Sequence, residues 1–153
     1  MSDTLFEGRL AWNGHAPDQP FTYESFDRAT RLEFVGGAVV NASAPGQYHG
    51  DDTRANPETL MLGSLMQCHF LTFMAVAAKS GVTVLSYADQ ATATLGKNAN
   101  GRIALVSVTL RPKVRFADPA HADKMADLHA RAHRNCFMSN SVNFPVTVEA
   151  ELG

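Results

Sequence analysis

The stretch NPETLMLGSLMQCHFLTFMAVAAK, Asn56 to Lys79, constrains this chain more than any other. It opens on an Asn cap, a proline at the first helical turn and an acid, Glu58, beside the positive end of the helix dipole. Ser80 and Gly81 end it after Lys79. The spacing predicts one long helix, apolar on nearly every face, so the fold must bury it. Glu58, Ser64, Gln67, His69 and Lys79 punctuate the run, and a membrane span is not expected from it.

What packs around the helix is read from the flanking pieces. Before it, TLFEGRLAW, FTYESF, ATRLEFVGG and GAVVNAS are short alternating segments separated by Gly and Pro, which predicts an antiparallel meander. After it, YADQATATLGK and GRIALVSVTLRPKVRF predict two strands joined by a turn at NANG. Asp118-Pro119 starts a second helix through AHADKMADLHARAHRNC, and FPVTVEAEL predicts a last strand. The order is that of an α+β fold, antiparallel sheets packed around two helices, within one domain spanning residues 1–153.

Composition narrows the function classes. The 45% apolar and 18% charged residues suit a packed core, and a net charge of −2 offers no footprint for nucleic acid or an anionic membrane. The start, MSDTLFEGRLAW, shows no basic segment followed by an apolar one, so no secretory signal is expected. Two cysteines then suggest a reducing, cytoplasmic setting, where a disulfide would be chemical rather than structural.

One of those cysteines, Cys68, lies in the middle of the apolar helix. At about 100° per residue it shares a face with Met61, Ser64, Thr72, Ala75 and Lys79, whose small and hydroxylic members leave room for a reactant. His69 is one residue on and does not face it. Free cysteine is often plain core, and an apolar setting makes a thiol inert unless a cation lies near. An arginine held by an acid would supply that cation, and Glu58 is a candidate acid. Ten residues separate Glu58 from Cys68, about 15 Å along a straight helix. Either the helix bends near Gly63-Ser64, or an arginine from another segment or subunit bridges the gap. On the second helix Met125, Ala132 and Cys136 form one stripe with Leu128 at its edge. Two inward thiols could come within disulfide reach, which spacing alone leaves open.

NPETLMLGSLMQCHF followed by AHRNCFMSNSVNFPVTVEAEL resembles the OsmC/Ohr family of thiol-dependent peroxidases over most of the chain. The resemblance implies the OsmC-like fold as an intertwined homodimer. It implies reduction of organic hydroperoxides, and of hydrogen peroxide as a second substrate, in oxidative-stress defence, with no cofactor. It makes Cys68 the peroxidatic residue, Cys136 the resolving one, and Glu58 the acid that orients an arginine. YESFDRATRL resembles the arginine-bearing strand, which gives the role to Arg28, with Arg31 second. A sulfenic acid on Cys68 would become a Cys68–Cys136 disulfide, reduced by a lipoyl-type or other small dithiol. Phe137 stands where many members carry proline.

Two other classes remain open on the residues. His129, His133 and Cys136 form H-x3-H-x2-C, which could ligate zinc together with Cys68 in a zinc- or ligand-binding module. Such histidines are more often exposed helix positions. The other class is a non-catalytic dimeric stress protein on the same fold.

Overall fold

A computed structural model describes residues 3–153. The chain divides into two compact units, one ending at Leu60 and one running from Met61 to Gly153.

The first unit is built on β1 (Gly8–Trp12), β2 (Thr30–Phe34) and β3 (Val39–Ala42), an antiparallel meander in which Leu10 faces Leu32 and Leu32 faces Val40. The turn from β2 to β3 needs positive φ at two successive residues, and Gly36 (97°) and Gly37 (89°) supply it. The expected strand at FTYESF does not form. Ser25 N–H donates to Thr22 Oγ1 at 3.2 Å and Phe26 N–H to the Thr22 carbonyl at 3.2 Å, so local hydroxyl and turn bonds replace a ladder. Ser43 N–H donates to the Ala55 carbonyl at 2.8 Å, closing the loop that leads into α1 (Pro57–Lys79). Gly50 is obligatory in that loop, because a Cβ there would collide with the Ala44 backbone. Asn56 caps α1 reciprocally: its Oδ1 accepts Thr59 N–H at 2.9 Å, and Thr59 Oγ1 accepts Asn56 N–H at 2.9 Å.

The second unit holds the body of α1 and the rest of the chain. Its hairpin at Asn98–Gly101 is where the sequence puts it, but each long strand is broken in two. The four pieces are β4 (Val84–Asp89), β5 (Thr92–Lys97), β6 (Ile103–Leu110) and β7 (Pro112–Phe116). β4 pairs with β7, and β5 with β6. Arg111 explains the break. Its N–H donates to Asp89 Oδ1 at 2.7 Å, and its guanidinium reaches Glu149 and Thr92 at 3.0 Å each. Pro112 follows and has no N–H to offer a ladder.

The predicted second helix starts as 3-10 turns over Pro119–Lys124, with Asp118 accepting Ala120 N–H at 2.9 Å. It becomes α2 (Met125–Asn135) only afterwards. The last strand is likewise two pieces, β8 (Val146–Val148) beside β6 and β9 (Glu151–Leu152) beside β7. Both pair parallel, on edges where the sequence reading expects antiparallel strands; the other ladders are antiparallel.

The core of this unit forms two clusters. Phe73, Val76, Ala77, Val82, Val114, Phe116, Leu128 and Ala132 make one; Leu65, Val108, Leu110 and Val146 make the other. By length (23 residues) and a mean hydropathy of 1.6 over its most apolar stretch, α1 does meet the composition of a membrane span, contrary to the expectation above. Ser64 and Gln67 are too few to lower the average, and Leu65, Phe73, Val76 and Ala77 spend that apolarity on the two clusters. Much of the rest stays uncovered, with Leu71 55% and Met61 37% exposed.

Candidate active site

Along α1, Leu65, His69, Phe73 and Val76 recur at spacings of four, four and three and form the buried stripe. Cys68 sits one residue off that stripe and is half-buried. Thr72, one turn later, donates its hydroxyl to the Cys68 carbonyl at 2.8 Å, which keeps the side of α1 beside the sulfur small. On α2, Leu128, His129 and Ala132 face inward, and Cys136 follows as the C-cap residue, fully buried. Its N–H donates to the His133 carbonyl at 3.3 Å, and its Sγ accepts the Ser139 N–H at 3.5 Å.

The two thiols are neighbours. Cys68 and Cys136, 68 residues apart in sequence, lie close enough for the Cys68 thiol to act on that of Cys136. Burial pushes the Cys136 thiol up; the bonds from Ser139 oppose that, and the nearby Cys68 thiol adds to it. The arrangement holds two reduced thiols side by side, one open to the outside and one sealed behind it.

Beside the thiols lies a feature that the sequence reading treats differently. His129 is 4% exposed rather than a surface position, and His69 is fully buried. His69 Nε2 and His129 Nδ1 share a hydrogen bond of 3.0 Å, with the rings within 6° of parallel. Phe73 stacks on His129 at 4.2 Å between centroids. Burial holds both imidazoles down to about 4. The signal for His69 is its place on the four-four-three stripe; for His129 it is the neighbouring Leu128 and Ala132. Among the described residues no three His, Cys, Asp or Glu side chains converge to hold a metal ion. The H-x3-H-x2-C pattern does not come together as a group of three such side chains among the described residues.

The remaining candidates lie in the first unit. Arg28 donates to the carbonyls of Phe26 (2.9 Å) and Tyr23, and its guanidinium stacks 3.9 Å from the Phe26 ring centroid. It lines an apolar cavity of about 720 Å³ with Leu10, Trp12, Phe21, Leu32 and Leu60. Arg31 is instead paired with Glu33 at 2.7 Å on the surface. Glu58 Oε2 is buried with no hydrogen-bond partner, and Arg28 and Glu58 are not bonded to each other.

The model of OsmC-like proteins matches residues 50–151. The chain belongs to the OsmC-like family. A solved OsmC-like protein of unknown function from Vibrio cholerae is 32% identical, with a TM-score of 0.87 over 96% of this chain and 99% of that one. An organic hydroperoxide resistance protein from Elizabethkingia anophelis superposes with a TM-score of 0.72 at 18% identity, over 99% of this chain and 97% of that one. The organic hydroperoxide resistance protein OhrB of Bacillus subtilis does so with a TM-score of 0.64 at 21% identity, over 97% and 98%. These last two likenesses are of fold. No curated protein matches the chain. The OsmC-like fold thus accounts for the element order, and its match takes in both cysteines and Glu58 but not Arg28.

Proposed function

We propose that this OsmC-like protein is a thiol-dependent peroxidase that reduces organic hydroperoxides through Cys68 and Cys136. The observation that carries the reading is the proximity of the two thiols, one half-buried and one fully buried. Cys68 thiolate attacks a peroxide oxygen, the O–O bond breaks, and the leaving alkoxide takes up a proton as alcohol. Cys68 is left as a sulfenic acid. Cys136 attacks its sulfur, water departs, and the resulting disulfide is reduced by exchange with an external dithiol of small or lipoyl type. The half-buried position of Cys68 suits the first step, and the sealed position of Cys136 suits a partner that reacts only with its neighbour. The organic hydroperoxide resistance proteins that share this fold support the substrate class.

Arg28 is the cation we assign to thiolate and transition-state stabilisation, with Glu58 as its orienting acid. Glu58 Oε2 is buried and unpartnered, and Arg28 already presents its guanidinium from a fixed seat, so each lacks an ionic partner among the described residues. A two-fold homodimer would bring such groups together from two copies.

Hydroperoxide consumption with dithiothreitol or dihydrolipoamide tests the reading. Wild type should turn over cumene or tert-butyl hydroperoxide; Cys68→Ser should consume none. Cys136→Ser should react once and then over-oxidise. Equal loss of the first turnover in both cysteine variants would overturn the assignment.

A further inference from the structure

The core between the two thiol-bearing helices contains a pair of imidazoles where hydrocarbon would pack as well. Each ring leaves one nitrogen, His69 Nδ1 and His129 Nε2, buried without a partner. Apolar residues of the same shape would leave no such groups unsatisfied. What the pair adds is direction. A hydrocarbon contact tolerates sliding, whereas a bond of 3.0 Å between rings 6° from parallel fixes both the shift of α2 along α1 and its rotation. Phe73, one turn beyond His69, closes the other face of His129 at 4.2 Å, so α2 is gripped from two positions of α1. Cys68 is the residue immediately before His69, and Cys136 lies seven residues, about two turns, after His129.

We propose that the His69–His129 hydrogen bond is a positioning device that sets the crossing of α1 and α2 so that Cys136 reaches Cys68 for disulfide formation. The geometry makes the lever long and the target narrow. From His129 to Cys136 is roughly 10 Å along the helix, and a swing of about 6° moves the sulfur by roughly 1 Å. A disulfide needs an S–S separation of about 2.0 Å and a Cβ–Cβ distance within about 1 Å of a fixed value. In the step concerned the S–O bond of the Cys68 sulfenic acid breaks and the S–S bond forms. The Cys136 proton leaves with the hydroxyl as water; Cys68 sulfur is reduced and Cys136 sulfur oxidised. This role rests on the peroxidase reading for its reaction, but the thiol geometry can be measured without peroxide.

The test compares His129→Phe, which keeps shape and stacking but not the bond, with His129→Gln, which keeps a donor and an acceptor. Equilibration of each folded protein with oxidised dithiothreitol gives the effective concentration of the Cys68–Cys136 pair. We expect His129→Phe to lower it about tenfold or more and His129→Gln to restore most of the loss. With hydroperoxide, His129→Phe should form sulfinic acid on Cys68 while the rate of first attack stays at the wild-type value. A His129→Phe protein within twofold of wild type, or Phe and Gln variants that behave alike, would overturn the proposal. If His129→Phe does not fold, ring 15N shifts of wild type decide it: the bond must persist in both dithiol and disulfide forms, and its loss on oxidation sinks the idea. A wild type that consumes no hydroperoxide would remove the peroxidase reading and leave the exchange comparison standing.

Discussion

His69 and His129 carry a stability consequence that can be read from their surroundings. Burial is the main reason that both are held down to about 4; the charge of His133 adds to the effect on His69, and that of His69 to the effect on His129. An unfolded histidine titrates near 6.5. Between about pH 6.5 and pH 4 the unfolded chain therefore takes up protons that the native pair refuses, so stability is full above that window and falls as pH drops through it. We expect a loss of at least about 2 kcal/mol for the pair by pH 5. Urea midpoints at pH 8 and pH 5 check this: wild type should fall steeply, and a variant carrying His69→Gln with His129→Gln should fall much less. A wild-type midpoint independent of pH would show that the pair is not held neutral.

At the scale of elements, α1 is the piece whose placement decides the site, and its start is fixed by two local devices. The reciprocal Asn56–Thr59 cap satisfies helix-end N–H groups, and Asn56→Ala should destabilise by about 1 kcal/mol. The loop before it closes so tightly that Gly50→Ala must displace the Ala44 backbone. That variant should cost more than the cap, about 2 kcal/mol or above. Thermal and urea unfolding of the two variants checks the order. If Gly50→Ala is neutral, the loop does not hold the helix start. The breaks at Gln90-Ala91 and at Arg111 show why element boundaries inside long apolar alternations were not legible. Arg111 bonds to Asp89, Thr92 and Glu149, three partners drawn from separate places in the chain, and no local pattern announces them.

For the whole molecule, exposed apolar surface is the quantity to explain. In the first unit Leu10 is 64%, Phe21 66% and Tyr23 59% exposed, and in the second Leu71 is 55% exposed. Large apolar side chains left exposed in each unit mark interaction surfaces. We propose that a second copy of the chain covers them, giving the intertwined homodimer that the family resemblance implies. Sedimentation equilibrium at micromolar concentration should give a dimer, and Phe21→Asp should weaken it at least about tenfold. Mixing Cys68→Ser with Arg28→Ala under subunit exchange should restore peroxide turnover at one site per heterodimer. A mixture that stays inactive while subunits exchange would put the arginine and the thiol in one chain, and a wild-type monomer would end the proposal.

The sequence alone was enough for α1 to the residue, because its cap, its proline and its glycine stop are local and act within one turn. It also placed the β5–β6 turn, the second helix and the inward stripe of Cys136, since helical and turn periodicities are written in neighbouring residues. The family match follows from the same stretches. Tertiary structure decided what periodicity cannot carry. That Cys68 and Cys136 are neighbours, that His69 finds His129 60 residues away, and that β8 and β9 pair parallel all depend on how α2 crosses α1 and where the chain returns. FTYESF alternates as a strand should, yet Thr22 and Ser25 satisfy their own backbone first. Short-range patterning sets which face of an element is apolar; only packing sets which residue of another element it meets.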